Sequence, residues 1–526
     1  MKLLLCVTVL LVSVEYSFGA NILGVVPTPS FSHQVVFWPL WTELSLRGHK
    51  VTVITTDPMN NAKLQNLTEI DLHSAYQLFN YSIFQVNERT TLELIYGHNE
   101  FFSNILDHML TKDEVQHIIK DETTHFDVVM VEGFHTAAFA FASRFKCPLI
   151  LLSSFDASSF AYREIGNPAH PVLHPDAMLP FSNILTFTQR LASCGHILLT
   201  KFTHKYLFLP TQQKLVEKHF GTGYPMIEDI FKNYSMFFVN TNHFFHPIKP
   251  LLPNIIQIGG GTHLQKPTFL PENLQNVLDN AKNGVIYFSL GSNVKSKDLF
   301  DDTRLEILET FKELPYTVLW KFENENLPNI SKNVIISKWF PQQDVLRHPN
   351  VKLFITQGGL QSLEEAIFSH VPIIGIPVMI MSDQTSNIAN IVSKGLGLSL
   401  DYKNIRKEDF KSAILTVIQN PRYRNKVKEI AALIQDQPET GLHRAVWWTE
   451  YVIRHGGAPH MRNPGIDFPW YQYYLLDIIG FVLLISMVVI FVIVALWKIT
   501  VKMSRVIRLK LRKSFVYNLL FAYVVT

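Results

Sequence analysis

The sequence predicts an α/β protein: two β/α/β series in one chain, followed by a single membrane-spanning helix. Three observations predict it. Short apolar runs bounded by glycine, proline or polar turns alternate with helical-period segments on both sides of a proline- and glycine-rich stretch. At 526 residues the chain is too long for one core and suggests two or three domains. Near the C-terminus, residues 478–497 carry no charge and are long enough to cross a hydrocarbon layer at helical rise.

At the N-terminus, Lys2 precedes the apolar run 3–14, and Ser17-Phe18-Gly19 offers small residues for cleavage, so residues 1–19 read as a signal peptide. The first strand, Ile22-Leu23-Gly24-Val25-Val26, begins directly after it. A helix through Val36, Leu40 and Leu44 follows, then a stop at Gly48 and a strand Val51-Thr52-Val53-Ile54, a β-α-β opening. Further strands are expected at 127–131 and 148–152. The aromatic-rich region 155–208 has weaker periodicity and is expected to shape a small-molecule pocket or touch a membrane. Pro247, Pro250, Pro253 and Gly259-Gly260-Gly261 mark a linker, placed at 246–275, between a first domain at 20–245 and a second at 276–450. Residues 451–477 are then juxtamembrane, 478–497 span the bilayer and 498–526 form a basic tail.

Aromatics Trp470, Tyr471, Tyr473 and Tyr474 precede the span. Lys498, Lys502, Arg505, Arg508, Lys510, Arg512 and Lys513 follow it with no acid among them, which puts the tail in the cytosol and the body in the lumen or outside the cell. The formal charge of +3 hides this division: without those seven cations, Lys2 and Glu15, 39 basic residues stand against 43 acidic ones. That balance excludes nucleic acid as a partner. Sequons at Asn66, Asn80, Asn233 and Asn329 agree with a lumenal body. Once the signal peptide is removed, only Cys147 and Cys194 remain, so the chain is no disulfide scaffold; one bridge or two buried thiols are both open.

The densest chemistry lies in residues 339–384. The turn Trp339-Phe340-Pro341-Gln342-Gln343-Asp344 follows the apolar run Val334-Ile335-Ile336 and sets an indole and an amide at a strand's carboxyl end, where open α/β sheets bind ligands. Lys352-Leu353-Phe354-Ile355-Thr356 leads into Gln357-Gly358-Gly359 and a helix from Leu360 through Ser362 and Glu365. Strand, glycine turn and helix start make an anion cradle. Val371-Pro372-Ile373-Ile374-Gly375-Ile376-Pro377 is a further buried strand, which delivers Asp383 and Gln384 to the same edge, a carboxylate and an amide suited to sugar hydroxyls. Indole, anion cradle and carboxylates in this order read as a nucleotide-sugar site.

This pattern resembles the defining motif of the UDP-glycosyltransferases, the membrane-bound animal enzymes that conjugate small lipophilic molecules with a sugar, and the likeness runs over nearly the whole chain. It implies two facing Rossmann-like β/α/β domains of the GT-B type, an acceptor-binding one at 20–245 and a donor-binding one at 276–450. It also implies that Trp339 stacks on uracil, Gln342 bonds the nucleoside, Glu365 accepts from the ribose hydroxyls, and Asp383 and Gln384 hold the sugar. Ile286-Tyr287-Phe288-Ser289-Leu290-Gly291-Ser292-Asn293 looks like the first strand and turn of the donor domain, with Ser292 on a phosphate. Gly359, Gln361 and Ser362 complete the implied donor set. Gln357 stands where the family often has His, which implies a neutral amide contact to the diphosphate.

In Pro29-Ser30-Phe31-Ser32-His33, the position of His33 resembles that of the family's catalytic histidine. An imidazole titrates near neutrality and can take a proton from an acceptor hydroxyl. Glu132 stands where the family usually supplies Asp to orient it, one methylene longer, and a solvated strand-end acid is the other reading of Glu132. The likeness implies inverting transfer without a metal or resident cofactor, the UDP-sugar being a co-substrate. The wording Gln357-Gly358-Gly359-Leu360-Gln361-Ser362 looks closer to invertebrate members, which implies UDP-glucose before UDP-glucuronate. Implied partners are the UDP-sugar, a small lipophilic acceptor, the endoplasmic reticulum membrane and a second copy of the chain. A homologue that binds lipophiles or UDP-sugar with little turnover is the alternative, because Glu132 and Gln357 both depart from the family's charge handling.

Overall fold

In the first strand, β1 (Asn21–Val26), Ile22 and Val26 pack into one core and Leu23 and Val25 into another, all fully buried. A strand that is apolar on both faces belongs in the middle of a parallel sheet with helices above and below. The computed structural model describes residues 19–78, 89–179, 181, 184–379 and 382–525, so the expected signal peptide, apart from Gly19, and the sequon at Asn80 lie outside the described residues. It divides into two compact units, one running through Asn463 and the other Pro464–Thr526.

The first unit holds two sheets. In the first, β1 is joined by β2 (Lys50–Thr55), β3 (Leu67–Asp71), β4 (Val128–Glu132), β5 (Leu149–Ser153), β6 (Met236–Val239) and β7 (Ile255–Gln257), in the order β3-β2-β1-β4-β5-β6-β7, every pair parallel. The second contains β8 (Val285–Ser289), β9 (Thr317–Lys321), β10 (Val334–Ser337), β11 (Val351–Thr356), β12 (Ile373–Gly375) and β13 (Gly397–Ser399), ordered β10-β9-β8-β11-β12-β13 and again wholly parallel. Both are doubly wound, Rossmann-like sheets whose strand order reverses once, between β1 and β4 and between β8 and β11. β12 covers only three of the seven residues expected at 371–377, because Pro372 and Pro377 bracket it and cannot donate to a ladder.

Two expected boundaries shift. β7 lies inside the stretch expected to be linker: after three prolines, Ile255 and Ile256 still pair with β6 and extend the first sheet. The helix Gly441–His455 does not close the second domain but returns to the first. Ala445, Val446 and Val452 bury one face in the core with Ile22, Met130, Phe238 and Ile256. Cys147 and Cys194 are both unpaired and partly buried, so the open question of a bridge resolves to two thiols. In the region 155–208 the helix Phe187–Thr203 exposes Phe187, Leu191, Leu198 and Phe202, so its apolar residues do not mark a core-facing stripe.

The second unit is dominated by one helix, Leu476–Val525, long and apolar enough to cross a membrane. It continues past the expected end at 497, because the basic tail is rich in good helix formers and contains no glycine or proline.

Candidate active site

β1 and β4 flank the point where the first sheet reverses, and their carboxyl ends open a crevice there. His33 lies in the helical turn Phe31–Val35 just after β1, and Glu132 is the last residue of β4. Nδ1 of His33 stands 2.5 Å from Oε1 of Glu132. Thr28 Oγ1 donates to the other carboxylate oxygen, and His135 Nε2 lies 2.8 Å from Thr28 Oγ1 and 3.4 Å from Glu132 Oε2. Glu132 and His135 have no exposed side-chain surface, whereas His33 keeps 18%. Burial by itself would raise the Glu132 carboxyl; the charge of His33 and hydrogen bonds from His135 and His33 outweigh it and hold the group well below the carboxylate range. Glu132 is therefore not a solvated strand-end acid. Its extra methylene is taken up in reaching a histidine that also packs against Phe155, at 5.6 Å between ring centroids.

The second sheet reverses between β8 and β11, and the loops after those strands meet at its edge. Gly291 adopts φ +81°, and a Cβ there would fall 2.5 Å from Gln357 Nε2, so this glycine admits the Gln357 amide to the turn. Gln357 is buried with its Oε1 unpartnered. Gly359 caps the helix Leu360–Phe368 without a side-chain bond, which leaves the first backbone N–H groups available to an anion. Ser292, next to Gly291, is half-buried and donates to Asn293 Oδ1 at 3.3 Å.

Around Gln342 lies a hydrogen-bonded set. Gln342 Nε2 donates to Glu365 Oε2 at 2.6 Å and to Ser362 Oγ at 2.9 Å, while Tyr287 donates to Gln342 Oε1 at 3.1 Å. Trp339 is 54% exposed, with Lys321 Nζ over its ring at 5.9 Å from the centroid. Asp383 opens the helix Gln384–Ser393; Asn387 Nδ2 donates to its carboxylate at 2.7 Å and to the Gly358 carbonyl at 3.1 Å, tying it to the glycine turn. Burial raises the Asp383 carboxyl, partly opposed by Asn387 and by the charge of His33. Among the described residues no three His, Cys, Asp or Glu side chains are grouped to hold a metal ion.

The two edges meet. Asn293 Nδ2 donates to Ser30 Oγ at 2.9 Å, and Phe31 meets Trp339 edge-on at 5.6 Å between centroids. Two residues of the expected donor set have one end of the side-chain amide engaged within the protein. Gln361 is buried and its Nε2 donates to the Ser154 carbonyl at 2.8 Å, a tie between the two sheets' loops. Gln384 Oε1 accepts from the backbone N–H groups of Val378 and Met379. The remaining residues of the expected donor set lie along one cleft edge with His33 and Glu132 opposite. Thr28, His135 and Asn293 were not foreseen, although each is within five residues of an expected one.

The chain matches the family model described as "UDP-glucoronosyl and UDP-glucosyl transferase" over residues 8–513. It belongs to the UDP-glycosyltransferase family. It is 36% identical over 488 residues to UDP-glucosyltransferase 2 of Dactylopius coccus, covering 91% of this chain and 93% of that protein. It is 29% identical over 511 residues to UDP-glucuronosyltransferase 2B15 of Homo sapiens, covering 92% and 94%. The glycosyltransferase of kitacinnamycin shares the fold, with a TM-score of 0.56 at 18% identity over 83% of this chain and 99% of that one. The protein is thus a glycosyltransferase of GT-B fold.

Proposed function

We propose that this UDP-glycosyltransferase transfers glucose from UDP-glucose, with inversion, to a hydroxyl of a small lipophilic acceptor. The carrying observation is the His33–Glu132 pair at one sheet's reversal point, set across the cleft from the cradle at the other. With Nδ1 held by Glu132, Nε2 of His33 is left to take the acceptor's proton as its oxygen attacks the anomeric carbon. The bond to the diphosphate breaks on the far side, so an α-linked donor yields a β-linked product. Charge developing on the leaving diphosphate falls on the N–H groups after Gly359, with Ser292 and the Gln357 amide beside them. Trp339 takes the uracil, Glu365 the ribose, and Asp383 the sugar hydroxyls. The reaction uses no metal and no resident cofactor.

The glucose preference rests on the likeness to the Dactylopius coccus glucosyltransferase. The body faces the lumen of the endoplasmic reticulum, a reading supported by the apolar helix followed by seven cations. Membranes containing the protein are incubated with UDP-glucose or UDP-glucuronate and a panel of phenols, and UDP release and the product's anomeric coupling are measured. Acceptor-dependent release with UDP-glucose, lost in His33→Ala and giving a β-glucoside, is expected. Release with UDP-glucuronate alone would overturn the donor assignment, and none with either despite proven binding would favour a binding protein.

A further inference from the structure

The segment joining the two sheets carries a histidine that the proposed chemistry does not use. His263 is fully buried, with Nδ1 3.4 Å from Glu364 Oε2 and Nε2 3.4 Å from Glu365 Oε1. Adjacent carboxylates on one helix repel, and burying both without a cation is costly. Glu364 is anchored on its other oxygen by the backbone N–H of Gly260 at 2.9 Å, in the same segment. On Glu365, Gln342 Nε2 donates to Oε2, and Gln343 Nε2 donates at 3.1 Å to Oε1, the oxygen that faces His263. His263 is thus the one cation among the described residues paired with both carboxylates. Burial by itself would lower its pKa, but Glu364 and Glu365 outweigh that and lift it to about 9. Neither ring nitrogen has a well-aligned hydrogen bond, so charge and shape hold the arrangement.

We infer that His263 is a positioning residue for the nucleotide: by bridging Glu364 and Glu365 it holds the Glu365 carboxylate in the orientation that receives the two ribose hydroxyls. The inference rests on the donor-site reading of Glu365. It also makes the joining segment part of the donor site, since movement of residues 258–263 moves the imidazole that orients Glu365.

The test measures UDP affinity by calorimetry on the detergent-solubilised full chain, together with KM for UDP-glucose, KM for the acceptor and kcat. His263→Gln is expected to weaken UDP and raise donor KM about tenfold, with acceptor KM and kcat within about twofold. Because His263→Gln leaves two buried carboxylates uncompensated, His263→Gln/Glu364→Gln is measured beside it. The double variant is expected to regain thermal stability while keeping the weakened UDP binding. Wild-type UDP affinity in a stable double variant would overturn the inference and leave His263 a purely structural cation. A wild-type protein that bound no UDP would instead overturn the donor site itself, and this inference with it.

Discussion

Nδ1 of His33 faces a fully buried Glu132 carboxylate at 2.5 Å, and Thr28 and His135 hold the second oxygen of that carboxylate. The acid is anchored on both oxygens, so the imidazole it orients has one tautomer and one free nitrogen.

Glu132→Gln is expected to lower kcat about 10²–10⁴-fold with donor KM unchanged, since a neutral amide neither fixes the tautomer nor stabilises the imidazolium. Steady-state UDP release across a range of donor concentrations checks it. Loss of donor affinity instead of kcat would move Glu132 out of the base's environment.

Gly291→Ala would place a methyl 2.5 Å from Gln357 Nε2 on a backbone at φ +81°. A destabilisation of about 1–3 kcal/mol is expected, with a raised donor KM because the Gln357 amide is displaced. Thermal unfolding and donor titration measure the two effects separately.

Gln361→Leu removes the donor to the Ser154 carbonyl without touching the proposed nucleotide groups. Stability should fall by about 0.5–1.5 kcal/mol through the lost hydrogen bond, since Asn240 Nδ2 still donates to the Ser154 carbonyl at 3.0 Å, while UDP affinity stays within about threefold, under 1 kcal/mol. A tenfold loss of UDP binding would restore Gln361 to the donor contacts.

His263 should make the protein less stable in mild alkali. Its folded pKa, about 9, lies above the ordinary 6.5, so its contribution is fully present below about pH 6.5 and lost as pH rises through about 9. Of the groups near it, Glu364 is held low, against its burial, by His263, and buried His246 is lowered chiefly by burial, so both lose their protons below this window. Urea midpoints between pH 6.5 and about 9.5 should fall for the wild type and stay flatter for His263→Gln.

Much of this molecule was legible in the chain. Runs such as Ile22-Leu23 and Ile286-Tyr287-Phe288, bounded by turn residues, read as buried strands, and the glycine turn before Leu360 read as a helix start. β7 was missed because three residues among prolines leave no periodic signal. The return of Gly441–His455 to the first sheet was missed because a helix shows which face is apolar but not which core receives it. By itself, then, the sequence determined two β/α/β series, the apolar C-terminal helix and the residue types at each strand's end, because period, turn chemistry and helix starts are local properties, while the Rossmann-like form of the two domains came from the family resemblance. Only the tertiary structure decided that Glu132 closes on His33, that Gln361 reaches Ser154 and that His263 lies between Glu364 and Glu365. Those partners stand 99, 207 and about 100 residues apart, and only the packing of the sheets and their joining segment brings them within bonding range.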